Sequence, residues 1–286
     1  MPSDVSRAAE PDQRAETIIG PRQGFSLPSL SLFVANRDLL YFLLKRDVTG
    51  RYKQTKLGLF WVVLQPAAAA LVFSVFLGGI ARVPSGADVP YPVFAITGLT
   101  LWIMFTMALA RCSSSIVENM NIVSKVFFPR ILLPVAAVLA PIVDFFLALA
   151  VAIVVMLIYG VAPSPRIVLV AVPLSLAITL AAGAGLWFAA LNVKYRDVAA
   201  GVPVIIQLGL FITPIIYPAS LVPADLQKIY ALNPLVGIFE LYRWTLFSGA
   251  ASPGLALIYS TIVAVVLLVS GAAYFQRAQA EFADYI

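Results

Sequence analysis

From residue 57 to residue 275 the chain alternates long apolar runs with short polar connectors. A helix needs roughly 20 consecutive apolar residues to cross the hydrocarbon core of a bilayer. Stretches of that kind fall near residues 57–80, 92–111, 131–159, 167–191, 202–217 and 254–275. The third is longer than a crossing requires and contains Pro134 and Pro141, which predicts a tilt or a break there. The fifth is short and ends in proline. The pattern therefore predicts an all-α membrane protein with six transmembrane helices over residues 57–276, which leaves both termini on one side.

The flanks read differently. Residues 36–52 place Leu39, Leu40, Phe42, Leu43 and Leu44 between charged ends, which suits an amphipathic helix lying in the membrane interface. A soluble amphipathic helix is the alternative, but the sequence offers it little to pack against. With the basic connector that follows, this unit spans 33–56. Residues 1–32 are polar, without a long apolar run, and read as a disordered cytoplasmic tail rather than a cleaved signal peptide. Residues 277–286 form a short C-terminal tail.

Composition agrees with the bilayer as solvent. The chain is 61% hydrophobic and 12% charged, with a mean hydropathy of +0.95. Soluble domains are about half apolar and a quarter charged. One cysteine, Cys112, excludes an internal disulfide, and the lack of histidine removes the commonest metal ligand and the commonest neutral-pH base. No metal site is expected.

Charge placement sets the orientation. With the N-terminus inside, fifteen of the 19 Lys and Arg residues lie on the cytoplasmic side, and only Arg82, Arg166, Lys228 and Arg243 lie outside. Positively charged loops stay inside, so the prediction is N-in and C-in.

Two connectors stand out. The outer one, 218–253, is long and partly apolar. Asn233 and Pro234 read as a helix start, after which Leu235, Ile238, Phe239, Tyr242 and Leu246 fall near one face. This predicts short re-entrant gate helices dipping into the outer leaflet. The inner one, 112–130, contains Ser115-x-x-Glu118, the form of a capping box, and predicts a short cytoplasmic helix to about Lys125. That helix exposes Glu118, Asn119, Asn121, Ser124 and Lys125 around a small Ile122–Val123 knob. Residues alone leave open whether it lies on the membrane or docks into a partner's groove. In the other inner connector, Asp197 favours the N-terminus of the fifth span through the helix dipole, while Lys194 and Arg196 face lipid phosphates.

Inside the spans polar residues are few. Asp144 is the only acid well within one, and the sequence shows no cation at comparable depth to pair with it. Helix–helix hydrogen bonding and a direct transport role both remain open for it. At 100° per residue, Trp61, Gln65, Ala69, Val72 and Phe76 form one stripe of the first span. Pro203, Gln207, Phe211, Pro214 and Pro218 form a similar stripe of the fifth. A glutamine in lipid costs free energy, so each stripe should face protein or a cavity. In the fourth span, LAAGAG supplies small residues for close helix contact. The chain has no Walker lysine motif, no Gly-rich dinucleotide motif and no paired carboxylates, so it is not expected to bind a nucleotide itself.

Taken together and in order, RDVTGRYKQTKLGLFWVVLQP, NIVSKVFFPRILLP, NVKYRDVAAGVPVIIQ, TPIIYP and LNPLVGIFELYR resemble the membrane permease of ABC-type polysaccharide exporters, which move O-antigen, capsule and teichoic-acid polymers. The resemblance covers about residues 33–275. It implies a homodimer in a bacterial inner membrane, with two separate ATPase subunits that bind ATP and Mg on the cytoplasmic side, and with no nucleic-acid partner. It implies that the 112–126 helix couples to the ATPase through Glu118, Asn119, Asn121, Ile122, Ser124 and Lys125. The substrate would be a polymer on a polyprenyl diphosphate or another lipid anchor. Arg46, Arg51, Lys53 and Lys56 would attract the phosphate at the inner leaflet. Trp61, Gln65, Phe76, Gln207, Phe211 and Tyr217 would line the sugar path. The resemblance assigns no role to the N-terminal tail or to Asp144. Two other readings remain: a permease of the same architecture for drugs or small lipids, and a polyprenyl-phosphate-handling membrane enzyme, which would need clustered acids and bases at one membrane face.

Overall fold

The computed structural model of the chain describes residues 28–53, 58–86, 88–195, 197–280 and 282, and side chains outside 52–59. All described secondary structure is helical. Two short elements come first, α1 (Leu30–Ala35) and α2 (Arg37–Lys53), followed by α3 (Gly58–Phe73), which continues as a π-helical stretch, Ser74–Ile80. Then come α4 (Tyr91–Glu118), α5 (Met120–Val123), α6 (Leu132–Leu139), α7 (Pro141–Ile158), a 3₁₀ turn at Pro165–Val170, α8 (Ala171–Lys194) and α9 (Val198–Ile212). Two short helices, α10 (Ala224–Tyr230) and α11 (Leu235–Leu246), precede the last, α12 (Leu255–Ala278).

Among the described residues, five stretches are long and apolar enough to cross a bilayer: Phe60–Ile80, Tyr91–Glu118, Leu132–Ile158, Pro165–Lys194 and Leu255–Ala278. The chain is therefore a multi-pass membrane protein. The fifth expected span is α9, at 15 residues shorter than a straight crossing and starting earlier than its apolar pattern suggested.

The axis of the fold is α4, which touches α3, α6, α7, α8, α9 and α11. In its apolar window 78% of residues are buried, against 11% for Phe60–Ile80. The first span thus lies at the periphery, its Leu71, Val75 and Ile80 exposed. At 1.5 Å per residue the 28 residues of α4 separate its ends by about 42 Å. The Tyr91 end and the Glu118 end carry the two groups of candidate residues.

Local chemistry explains the breaks. The third span divides at Ala140, immediately before Pro141, because proline cannot donate to the preceding turn. Pro134 lies in the first turn of α6, where no such donor is needed. The capping box expected at Ser115 does not form. α4 runs straight through that residue, and the Ser115 hydroxyl donates to the Cys112 carbonyl inside the helix at 2.7 Å. The helix ends at Asn119 instead, whose amide donates to the Ser115 carbonyl at 2.8 Å. The short helix that follows is the four-residue α5.

The small-residue stretch of the fourth span makes close contacts, as its composition predicts. A Cβ at Gly183 would meet the backbone of Leu267 and Leu268 at 2.5 Å, and the Gly271 Cα lies against the Gly183 carbonyl. Gly185 lies against the fully buried Cys112 side chain.

Candidate functional site

At the Glu118 end, α2 rests on α6 and buries Leu43. The interfacial helix therefore has a protein surface beneath it, which the sequence did not indicate. Its opposite side exposes Tyr41 and Phe42. Of the four cations expected to meet phosphate, Arg46 and Arg51 are described; the Lys53 side chain and Lys56 lie outside the described residues. Both arginines are engaged by carboxylates. Arg46 donates from Nε and Nη2 to Asp47 Oδ1, at 3.1 and 3.0 Å. Arg51 donates to Asp144 on α7 and, through Nε, to the Asp47 carbonyl at 3.2 Å. The expectation that Asp144 lacks a cation at its depth is thus overturned. Arg51 comes from 93 positions away in sequence, and the end of α2 brings it down to the α7 surface.

Arg111 of α4 sits within the field of Arg51, Asp144, Asp47 and Glu118. A cavity of about 180 Å³ is lined by Arg46, Asp47, Arg111, Ser115, Glu118 and Asn119. Residues expected to capture phosphate and residues expected to couple to a partner therefore share one wall. Glu118, Asn121, Ile122, Ser124 and Lys125 are exposed, Asn119 is half-buried, and Val123 anchors α5 by burial. Sequence reasoning passed over Phe127, which is 85% exposed beside Val126. The signal was present in the apolar run VFF within an otherwise polar connector. Arg130 closes this end by donating to the Gln279 carbonyl at 2.8 Å.

Midway along the bundle, Trp61, Gln65, Pro66, Thr100 and Asp144 line a cavity of about 160 Å³ between α3, α4 and α7. Pro66 has no N–H to give the Val62 carbonyl, and both residues face this cavity. The glutamine, the proline and the acid thus meet at one cavity, although Gln65 is also exposed on the outer side of α3.

At the Tyr91 end a large cavity, about 940 Å³, is lined by Phe76, Phe211, Tyr217, Tyr230 and Asn233 among mostly aliphatic neighbours. Three of the expected path residues meet here, and Trp61 with Gln65 meets at the midway cavity. The expected stripe of the first span is thus divided between two cavities. Gln207 is exposed on α9 and lines neither.

The wall of the large cavity includes a non-helical stretch after α9, and its carbonyls find side-chain donors. The Tyr91 hydroxyl donates to Ile216 O at 2.5 Å and Arg243 Nη2 to Ile215 O at 3.0 Å. Asn233 Nδ2 donates to Ile212 O at 3.0 Å while its Oδ1 accepts from Leu235 N at 3.0 Å. Asn233 thus braces the turn that enters α11, one residue before the cap position, which Pro234 occupies. The Arg243 guanidinium lies 3.7 Å from the centroid of the Phe94 ring, so this buried cation is balanced by a ring face and a carbonyl. The faces of α11 expected to be apolar are buried, and so is most of the rest of the helix. Asn233→Ala removes the brace and a carbonyl donor together. It should lower stability by about 1–2 kcal/mol, measured as a reduced unfolding temperature in detergent.

Arginines and carboxylates gather at the Glu118 end, and Asp144 also lines the midway cavity, while the Tyr91-end cavity offers aromatic and amide surfaces. Such surfaces hold polar rings by apolar contact and hydrogen bonding without fixed charge.

Comparison with known proteins agrees with the family resemblance seen in the motifs. The O-antigen export system permease protein RfbA of Myxococcus xanthus is 29% identical over 253 residues, covering 87% of this chain and 96% of that protein. A protein of the same name from Klebsiella pneumoniae is 28% identical over 252 residues, with 87% and 95% covered. The polysialic acid transport protein KpsM of Escherichia coli is 26% identical over 239 residues, with 82% and 91% covered. The ABC-2 type transporter family matches residues 38–247, a stretch that contains both candidate ends and the axis between them, and the chain belongs to that family.

Proposed function

We propose that this protein is the membrane subunit of an ATP-driven exporter that moves a lipid-linked polysaccharide across a bacterial inner membrane. The observation that carries this reading is that relatives named for O-antigen and polysialic acid transport match over 82–87% of the chain. The aromatic lining of the Tyr91-end cavity agrees with it.

In this reading two copies face each other through the outward sides of α3, its π-helical continuation and α9, whose Trp61, Phe76, Gln207 and Phe211 are exposed in the single chain. The Glu118 end is cytoplasmic. There Glu118, Asn119, Asn121, Ile122, Ser124 and Lys125 meet a separate ATPase subunit on each copy, which binds ATP and Mg. α9 and the non-helical stretch after it complete a sixth crossing, giving N-in and C-in topology, and α10 and α11 form the outer gate. Arg46 and Arg51, with Lys53 and Lys56, meet the phosphate of the lipid anchor. The polymer passes along Trp61, Gln65, Phe76, Gln207, Phe211 and Tyr217.

The test is to purify the complex with its ATPase, identify the co-purified lipid by mass spectrometry and measure ATP-dependent translocation in vesicles. A phosphate-linked glycan and its translocation are expected. A complex that carries only small hydrophobic compounds, with no glycan movement, would overturn the reading in favour of a drug or small-lipid permease.

A further inference from the structure

Each described arginine expected to meet phosphate is already held by a carboxylate. Arg46 is held by Asp47 and Arg51 by Asp144. With Arg111 and Glu118, the described side chains of this group are three cations and three anions. Their charges balance, so a phosphate that takes the Arg51 guanidinium displaces the Asp144 carboxylate from it. A guanidinium fork donates to a carboxylate or a phosphate with the same bidentate geometry. The Asp144 side chain is 7% exposed and the Arg51 side chain 16%, and burying such a pair gains little stability over apolar packing. Arg111 lies close enough to feel both charges and shares a cavity wall with Arg46 and Glu118.

We propose that Asp144 is a placeholder for phosphate. It occupies Arg51 until a phosphate headgroup takes that guanidinium, whereupon Asp144 turns to Arg111. The exchange moves charge from the junction of α2 and α7 onto α4, two turns before Glu118, so arrival of the headgroup is felt at the coupling segment. Asp144 and Arg111 are positioning residues here. This inference rests on the proposed export of a phosphate-bearing lipid.

The test uses the complete permease–ATPase complex in phosphatidylcholine vesicles, with phosphatidic acid as the phosphate-bearing probe and ATP hydrolysis as readout. Asp144→Asn removes the competitor, so the half-stimulating fraction of phosphatidic acid should fall at least about fivefold. Arg51→Gln should raise it, and the double variant should behave like Arg51→Gln. A merely structural pair predicts the opposite sign for Asp144→Asn, and an unchanged or raised half-point in that variant overturns the placeholder role. If Asp144→Asn does not assemble, the exchanged pair Arg51→Asp with Asp144→Arg should assemble and lose the response; a retained response overturns the proposal. Inorganic phosphate with plain vesicles is the second arm. A shift there as well assigns the exchange to phosphate itself, and a shift confined to phosphatidic acid assigns it to a lipid headgroup; both uphold the exchange. Failure of the export reading is seen separately, as a wild-type complex that responds to neither probe.

Discussion

A permease lacking residues 119–123 is expected to reach the membrane and export nothing. α4 carries its helix to Glu118, Asn119 stops it, and α5 turns the chain through a single short coil before the connector to α6. That coil is held by one buried side chain, Val123, while Ile122, Val126 and Phe127 stand exposed beside Lys125. An exposed apolar knob with a polar rim is the form of a docking anchor, and removing the anchors of an interface costs about 2–4 kcal/mol or more. The affinity for the ATPase should therefore fall about 30- to 1,000-fold, read by co-purification, with translocation falling to background. The spans lie outside the deletion, so the permease itself should still elute as a folded species. Glu118→Arg should give a milder form of the same defect. Export at the normal rate by either variant would sink the coupling assignment.

Gly183→Val should prevent folding altogether. The α8–α12 crossing brings backbone against backbone, and the added carbon meets Leu267 C and Leu268 N at 2.5 Å. Neither atom can move without separating the helices, and the Gly271 Cα, already against the Gly183 carbonyl, gives no slack. Overpacking of this kind costs about 1–3 kcal/mol where side chains can yield, and more where only backbone is available. Membrane association driven by close packing of small residues leaves little other stabilisation to offset it. Gly201→Ala is the control, because nothing lies within 4 Å of its added carbon. It should give a normal monodisperse peak in size-exclusion chromatography, whereas Gly183→Val should give aggregate or no protein. Equal behaviour of the two variants would mean that the crossing does not set the fold.

Sequence alone reveals what the bilayer and the local backbone dictate. Long apolar runs must become helices because lipid offers no partner to a backbone amide, so the crossings were visible in the pattern. The division before Pro141 and the start of α11 after Asn233 follow from local donors and acceptors and were equally visible. The Arg51–Asp144 pair was not, because periodicity reports which face of a helix is apolar but not which helix it meets. The capping motif at Ser115 failed for a related reason: a serine offers a cap only where a helix begins, and there α4 simply continues. The similar stripes of the first and fifth spans predicted that each glutamine faces protein or a cavity. The structure places Gln65, exposed on one side, at the cavity that Asp144 and Thr100 also line, and leaves Gln207 outward, because α9 meets α4 and α8 with its other side.

The burial of Cys112 beneath Gly185 has a practical consequence. A thiol sealed between two helices at the fold's axis, with no accessible surface, is shielded from maleimide reagents while the protein stays folded. The natural chain thus already serves as a silent background for site-directed labelling. Single cysteines placed in each connector can report, by their modification from one side or the other of a sealed vesicle, how the polypeptide threads the bilayer.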